Sequence, residues 1–361
     1  MNFVHIADVH FGNSFSSLQG NNNFIRKRQL AQINAFEKII AYIKNNNIEH
    51  LFISGDFFDY DESNTAYLKN ILEFCNKKFD EIPNTQIWIS PGNHDPYIKN
   101  SPYQIFDWSN NVHIFKNKIE CYQLNDVDIY GYGFENFFVK NTNIDNIVLQ
   151  NKNKINILVT HADLDASQTN DKCFNPLSSK KLMNIGFNYI ALGHIHKSNF
   201  SKDSNIIYPG STIALSFKNI SESHGFVTGE ITKDKYKIDF IPLDSDFYNE
   251  LVVDTSYFVD KDELINEINN LYTNSESVYQ IKLKGKCNFF IDTNQILKYI
   301  NNENILKVID DTGYAYDLNE ISQENNLRGY FVKEMLQRLE IATEEEKPKI
   351  QKALEIGLDL F

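Results

Sequence analysis

Only four cysteines occur in 361 residues, at positions 75, 121, 173 and 287. They lie far apart, without the two-residue spacing of a zinc site or the density of a disulfide framework, so they read as buried thiols or spectators. Long hydrophobic runs are also missing, and no stretch approaches the roughly 20 apolar residues a membrane helix needs. The opening MNFVHIADVH has no basic segment, no apolar core and no small-residue cleavage site. The expectation is a cytoplasmic protein without membrane attachment. Positive charge is scarce: 35 Lys and Arg against 48 Asp and Glu leave a formal charge of −13. Acidic chains are repelled by phosphate polymers, which argues against simple electrostatic capture of nucleic acid. Residues 1–250 carry −5 of this charge and residues 251–361 carry −8.

What is present is an ordinary globular balance, 42% hydrophobic and 23% charged, on a chain long enough for two or three domains. Up to about residue 245, short apolar runs alternate with amphipathic segments, the signature of an α/β fold. Strands are expected at 3–8, 50–56, 86–90, 155–160, 189–194, 205–210 and 225–231. Leu30, Ile33, Ile40 and Ile43 recur near helical spacing between the first two, predicting a helix over one sheet face. From 246 the pattern resets into a small α/β unit, with a helix opened by the capping pair Asp260 and Glu263. A helical tail follows, with apolar Leu327, Phe331, Met335 and Leu339 on one helix and Ile350, Leu354, Leu358 and Phe361 on the next; Pro348 and three glutamates separate them. The expected domains are 1–245, 246–312 and 313–361. No long repeat is present.

Five short motifs stand at or just past the ends of the expected strands: Asp8-Val9-His10, Gly55-Asp56-Phe57-Phe58-Asp59, Gly92-Asn93-His94-Asp95, Thr160-His161 and Gly193-His194-Ile195-His196. Ligands gather at that edge of an α/β sheet. The five histidines with Asp8, Asp56 and Asn93 offer nitrogen and oxygen donors without sulfur, a set suited to two divalent cations such as manganese, iron or zinc. Pairs at i and i+2 project to one side of an extended chain, so Asp8/His10 and His194/His196 can each address a metal together. Asp56 can bridge metals held about 3.5–4 Å apart, the separation that clamps attacking and leaving oxygens in phosphoryl transfer. Two dications less the charges of Asp8 and Asp56 leave +2, which a hydroxide and a phosphodiester would neutralise. Metal-bound water then supplies the nucleophile, and His94 is the candidate to protonate the leaving oxygen, with Asp95 beside it as an orienting partner.

These five motifs in this order resemble the calcineurin-like metallophosphoesterase superfamily over residues 1–245. The resemblance implies a two-sheet β-sandwich flanked by helices, with Asp8, His10, Asp56 and His196 holding one metal and Asp56, Asn93, His161 and His194 the other. The opening HIADVHFGNSF, the segment LMNIGFNYIALGHIHKS with IIYPGST, and the closing NNLRGYFVKEMLQRLE resemble the bacterial DNA repair exonucleases of the SbcD and YhaO type. That branch implies manganese-dependent DNA cleavage, a capping domain at 246–312 that positions DNA, and a tail at 313–361 that docks on an SMC-like coiled-coil ATPase. A homodimer is left open. Where some members carry a histidine at the end of the GDxF motif, this chain has Asp59. Lys282, Lys284 and Lys286 alternate along an expected strand and could meet backbone phosphates on one face. Arg26-Lys27-Arg28 reads as a solvated helix surface, and His5, His50, His113 and His224 as structural. Two other functions stay open: a small-molecule phosphodiesterase or phosphatase on the same scaffold, and a mainly non-catalytic docking subunit.

Overall fold

A computed structural model describes the chain apart from residues 61–64, 141, 143, 167–173, 244–246, 288, 315–317 and 359–360. Cys173 and the expected boundary at 245–246 therefore lie outside the described residues. The chain divides into two compact units, Met1–Asp246 and Phe247–Phe361.

In the first unit, the strands β1 (Asn2–Ile6), β2 (His50–Ile53), β3 (Gln86–Ile89) and β4 (Val112–Ile114) run parallel. Two antiparallel strands, β10 (Gly225–Ile231) and β11 (Tyr236–Pro242), extend this sheet beyond β1 in the order β11-β10-β1-β2-β3-β4. A second sheet has the order β5 (Glu120–Gln123), β6 (Val127–Tyr132), β7 (Ile155–His161), β8 (Tyr189–Gly193) and β9 (Ile206–Ile207). All but β5 are parallel within it. The near-continuous apolar runs FVHI, HLFI and QIWI suit strands buried on both faces. Alternate residues of each run then serve different cores. Phe3, Phe52 and Trp88 meet Ile129, Ile157, Val159 and Tyr189 between the sheets, while Val4, Ile6, Leu51, Ile53 and Ile87 face helices on the outside. The expected two-sheet sandwich flanked by helices is the observed fold.

Those outer helices are α1 (Asn22–Asn45) and α2 (Thr65–Asp80). Two short helices follow, α3 (Pro102–Ile105) and α4 (Ser179–Ile185), the latter covering the second sheet with Leu182 against Leu158, Ile190 and Leu192. The buried face of α1 differs from the expected stripe. Ile40 and Ile43 are buried and Ile33 packs against the core, but Leu30 is 49% exposed. The inward positions are Phe24, Arg28, Gln32, Ala35, Phe36, Ile39, Ile40 and Ile43, so the face includes two polar residues that an apolar stripe passes over. Arg28 is correspondingly not a solvated surface residue: it is 2% exposed and donates to the Ala214 carbonyl.

In the second unit, β12 (Tyr248–Asp254), β13 (Val278–Lys284) and β15 (Ile305–Asp310) form a parallel sheet. The helices α5 (Lys261–Asn270) and α6 (Thr293–Tyr299) supply Leu264, Ile265, Ile268 and Ile296 to its core. Asp260 caps α5 by accepting from the Asp262 and Glu263 amides; the Glu263 carboxylate reaches back to the Val259 amide at 3.0 Å, one residue earlier than a capping box places it. A two-stranded sheet joins β14 (Lys286–Cys287) to β16 (Gly313–Tyr314), and α7 (Leu318–Ile321), α8 (Leu327–Ile341) and α9 (Lys347–Leu358) close the unit. Val332, Met335, Leu354 and Leu358 pack α8 against α9, whereas Leu327 is 73% exposed. Pro348 lies in the first turn of α9, where its missing amide costs nothing, rather than between the helices.

The lysine strip does not form as the alternation predicts. β13 ends at Lys284, Gly285 turns the backbone with φ +89°, and Lys286 begins a different sheet. Lys282 is ion-paired to Asp311 at 3.1 Å. Three lysines at i, i+2 and i+4 share a face only while the chain stays extended, and the glycine ends that extension.

Cys75 and Cys287 are buried free thiols and Cys121 a half-buried one. Among the described residues, no helix is long and apolar enough to cross a membrane.

Candidate metal centre

Each motif lies where its strand ends. β1 leads into Asp8 and His10, β2 into Asp56, β3 into Asn93 and His94, while β7 closes on His161 and β8 leads into His194 and His196. Backbone bonds past the strand ends keep the first two loops in register: the Asp8 amide donates to the Gly55 carbonyl at 3.1 Å and the His10 amide to the Asp56 carbonyl at 2.9 Å. Asp8, His10, Asp56 and His194 all adopt left-handed backbone conformations, with φ of 50°, 52°, 49° and 112°. Such conformations are costly for side chains of this kind and persist where surrounding structure fixes them. Two glycines permit the crowding. A Cβ on Gly55, itself at φ +87°, would run into the His161 ring, and one on Gly92 would overlap Asp56 Oδ1.

The side chains converge. His10 Nε2 lies 3.1 Å from His196 Nε2 and 3.7 Å from Asp56 Oδ2. Asp56 Oδ2 is also 3.3 Å from His161 Nε2, which lies 3.0 Å from Asn93 Oδ1 and 3.3 Å from His194 Nδ1. Asp8 accepts from the His194 amide through both oxygens, at 3.0 and 3.2 Å. Three sets of donors come within 4.8 Å of one another: Asp8, His10 and His196; His10, Asp56 and His94; Asp56, His161 and His194. The seven residues expected to bind metal thus lie in one cluster, with Asp56 shared between two of the sets.

The donor chemistry fits divalent cations. His161 Nδ1 donates to the Ser54 carbonyl at 3.0 Å, so in the neutral ring the Nε2 lone pair faces Asn93 Oδ1 and Asp56 Oδ2, both acceptors. A cation among them reconciles three lone pairs that otherwise repel. Burial, reinforced by neighbouring His10, lowers His196 to about 3, so this ring is neutral and able to ligate. Burial likewise raises the Asp8 carboxyl. Burial opposes ionisation at Asp56 too, but the adjacent His161 holds that carboxyl well below the usual range. In the absence of metal, positive charge is carried by imidazoles instead: despite burial, Asp56 raises His161 to about 9.

His94 stands at the mouth with its side chain 41% exposed, and its backbone amide donates to Asp56 Oδ1 at 2.9 Å. Its Nδ1 donates to Asp59 Oδ1 at 3.1 Å. Although burial alone would lower it, the Asp59 hydrogen bond and the Asp56 charge raise the imidazole to about 9. The expected orienting partner, Asp95, is corrected here. Its carboxylate accepts from the amides of Gly92, Asp56, Phe57 and Phe58 and from the Tyr103 hydroxyl at 2.6 Å, tying together the two loops that carry Asp56 and Asn93. Adjacent residues in a tight loop point apart, so sequence proximity to His94 says little about contact with its ring.

Sequence reasoning missed three participants. Asp59 also approaches His10 Nδ1 at 3.4 Å, and its signal was the i+3 spacing from Asp56. Asp163, 3.3 Å from His194 Nε2, repeats after His161 the i+2 spacing of Asp8 and His10. Gln32 on α1 donates to the Val9 and His10 carbonyls, 2.9 Å each, and no local pattern announces it. The remaining histidines are built into the scaffold. His5, fully buried, links Ser54 of the first sheet's loop to Tyr189 of the second sheet at 3.0 Å each, and burial lowers it to about 3. His50 accepts from Trp88, His113 pairs with Gln86 and His224 with Ser211.

A centre of this composition, at the strand ends of two packed sheets, is equipped for phosphoester hydrolysis with divalent metal. The chain belongs to the calcineurin-like phosphoesterase family, whose pattern matches residues 1–198. It is 24% identical over 270 residues to the uncharacterized metallophosphoesterase YhaO of Bacillus subtilis, an alignment covering 71% of this chain and 64% of that protein. It is 24% identical over 322 residues to a subunit of the nuclease SbcCD of Staphylococcus epidermidis, covering 80% and 78%. The DNA double-strand break repair protein Mre11 of Methanopyrus kandleri is 22% identical over 250 residues, covering 62% and 51%. The chain thus spans about two thirds of the Bacillus relative and half of the Methanopyrus one.

Proposed function

We propose that this metallophosphoesterase is a nuclease that hydrolyses DNA phosphodiesters, working as part of a repair complex. The observation that carries this reading is the Asp59-held His94 at the mouth of the seven-residue cluster, in a chain whose likeness to a nuclease component extends beyond the sandwich. In this reading Asp8, His10, Asp56 and His196 hold one metal and Asp56, Asn93, His161 and His194 the other, manganese being the expected ion. When bound, two divalent cations polarise the phosphate and make water nucleophilic near neutral pH.

The chain's own residues do the rest. Asp59 fixes the His94 ring through Nδ1, which leaves Nε2 to hydrogen-bond a phosphate or leaving oxygen. His161 is held to its tautomer by Ser54, and His194 is braced by Asp163. Asp95 keeps the two central loops at a fixed spacing without touching the His94 ring. Residues 246–312 supply a cap that positions DNA, and the helical tail at 313–361 docks on an SMC-like coiled-coil ATPase.

The test compares bis-p-nitrophenyl phosphate with single- and double-stranded DNA in Mn²⁺. Wild-type protein is expected to hydrolyse both classes, and Asp56→Asn and His94→Gln to be nearly inactive on each. A fully active His94→Gln protein would remove its assigned role. Wild-type protein that cleaves nucleotides and leaves DNA intact would reject the nuclease reading.

A further inference from the structure

The segments after β6 and β7 meet along one side of the metal centre and place aromatic rings in a graded series. Phe134, fully buried, sits edge-on to the His161 ring with centroids 5.6 Å apart. Phe174 packs against the His194 ring at 5.2 Å with a tilt of 49°. Phe138 then meets Phe174 nearly at right angles, 5.2 Å away, and is 38% exposed. The Lys140 ammonium lies over the Phe138 ring, 5.4 Å from its centroid. This ledge is anchored to the centre itself. The Phe174 amide donates to Asp163 Oδ2 at 2.7 Å, and Asp163 Oδ1 reaches His194. Asn175 bonds the Val139 carbonyl through its backbone and the His161 carbonyl through its side chain.

We propose that Phe138, seated on Phe174, is a stacking subsite for one nucleobase of the substrate. The inference rests on the DNA reading and adds how a nucleotide, rather than a bare phosphate ester, is recognised. An aromatic ring one residue removed from a metal-centre histidine, partly open to solvent and held from beneath by a second ring, offers a base a rigid π surface at little entropic cost. Stacking of this kind tolerates every base, because each has a π face. Lys140 lies over the same ring, a cation–π contact that a stacking base would displace from the face it takes. Phe134 cannot serve, being buried, and Phe174 acts as support.

The experiment uses the full chain in Mn²⁺ and single-stranded oligonucleotides in which one nucleotide at a time, counted from the cleaved end, lacks its base. One abasic position is expected to lower kcat/KM about five- to a hundredfold, chiefly through KM, the range set by base–aromatic stacking. Phe138→Ala and Phe138→Leu, which both remove the π face, should bring the ratio of intact to abasic substrate at that position to about one, and Phe138→Trp should preserve it. Equal cleavage of intact and abasic substrates by wild-type protein overturns the subsite, as does a ratio that survives Phe138→Ala. Wild-type protein that hydrolyses bis-p-nitrophenyl phosphate and neither oligonucleotide instead overturns the DNA reading, and the subsite falls with it.

Discussion

Asp59 and Asp95 are both buried carboxylates beside the metal centre, each at the end of a strand-end motif, and they do different work. The oxygens of Asp95 accept from four amides and a tyrosine hydroxyl, so its role is to hold loops. Asp59 addresses two imidazoles, those of His94 and His10. Carboxylates that orient a histidine beside a metal typically contribute 10- to 100-fold, that is about 1.4–2.8 kcal/mol, to activity or metal affinity. Asp59→Asn is therefore expected to lower kcat on bis-p-nitrophenyl phosphate about 10- to 100-fold while leaving the circular dichroism spectrum as in wild type. Activity within twofold of wild type would show that His94 needs no such support. The metal-centre donors were legible because each follows a strand end in a motif. Asp59 stands in a motif, three residues after Asp56 and as a departure from a family pattern, but its role does not show there, since its contact with His94 depends on how two loops meet.

At the scale of elements, α1 shows what periodicity can and cannot reveal. The 3.6-residue repeat located the helix, but an apolar stripe includes only residues that avoid water on their own account. Arg28 and Gln32 are inside because the carbonyls of Ala214, Val9 and His10 are there to receive them. Gln32 matters most, since the carbonyls it serves flank the left-handed turn of His10. Gln32→Leu removes a donor from each carbonyl, and since His10 keeps the Asn13 amide it is the Val9 carbonyl that loses its donor, at a cost of about 1–3 kcal/mol for an unsatisfied group. Urea denaturation should register a loss of at least about 1 kcal/mol for Gln32→Leu, against less than about 0.5 kcal/mol for Leu30→Glu at an exposed position. A neutral Gln32→Leu would mean that the His10 turn is held by its bonds to the Asp56 carbonyl and the Asn13 amide without help from Gln32. The lysine strip failed for a related reason: alternation was read through Gly285, and a glycine at φ +89° is where an extended chain stops being extended.

For the whole molecule, the charge of −13 bears directly on how DNA would be held under the proposed function. Part of the deficit is local to the centre, where Asp8 and Asp56 carry charge that two divalent cations would more than offset. Among the described residues, several of the lysines elsewhere are paired. Lys282 is bound to Asp311, Lys154 to Asp128 and Lys78 to Glu37 and Glu81, while Lys286 lies on a different sheet from Lys284. Duplex affinity falls with the logarithm of salt at a slope of about −0.9 per phosphate neutralised. Under the proposed function a chain of this balance should neutralise few phosphates, and its slope is expected to be shallower than about −4. Fluorescence anisotropy with a non-hydrolysable phosphorothioate duplex in Mn²⁺, titrated with potassium chloride, measures this directly. Weak binding with a shallow slope fits a protein that borrows its grip on DNA from a partner. Tight binding at physiological salt with a steep slope would contradict this expectation and would remove the need for that partner.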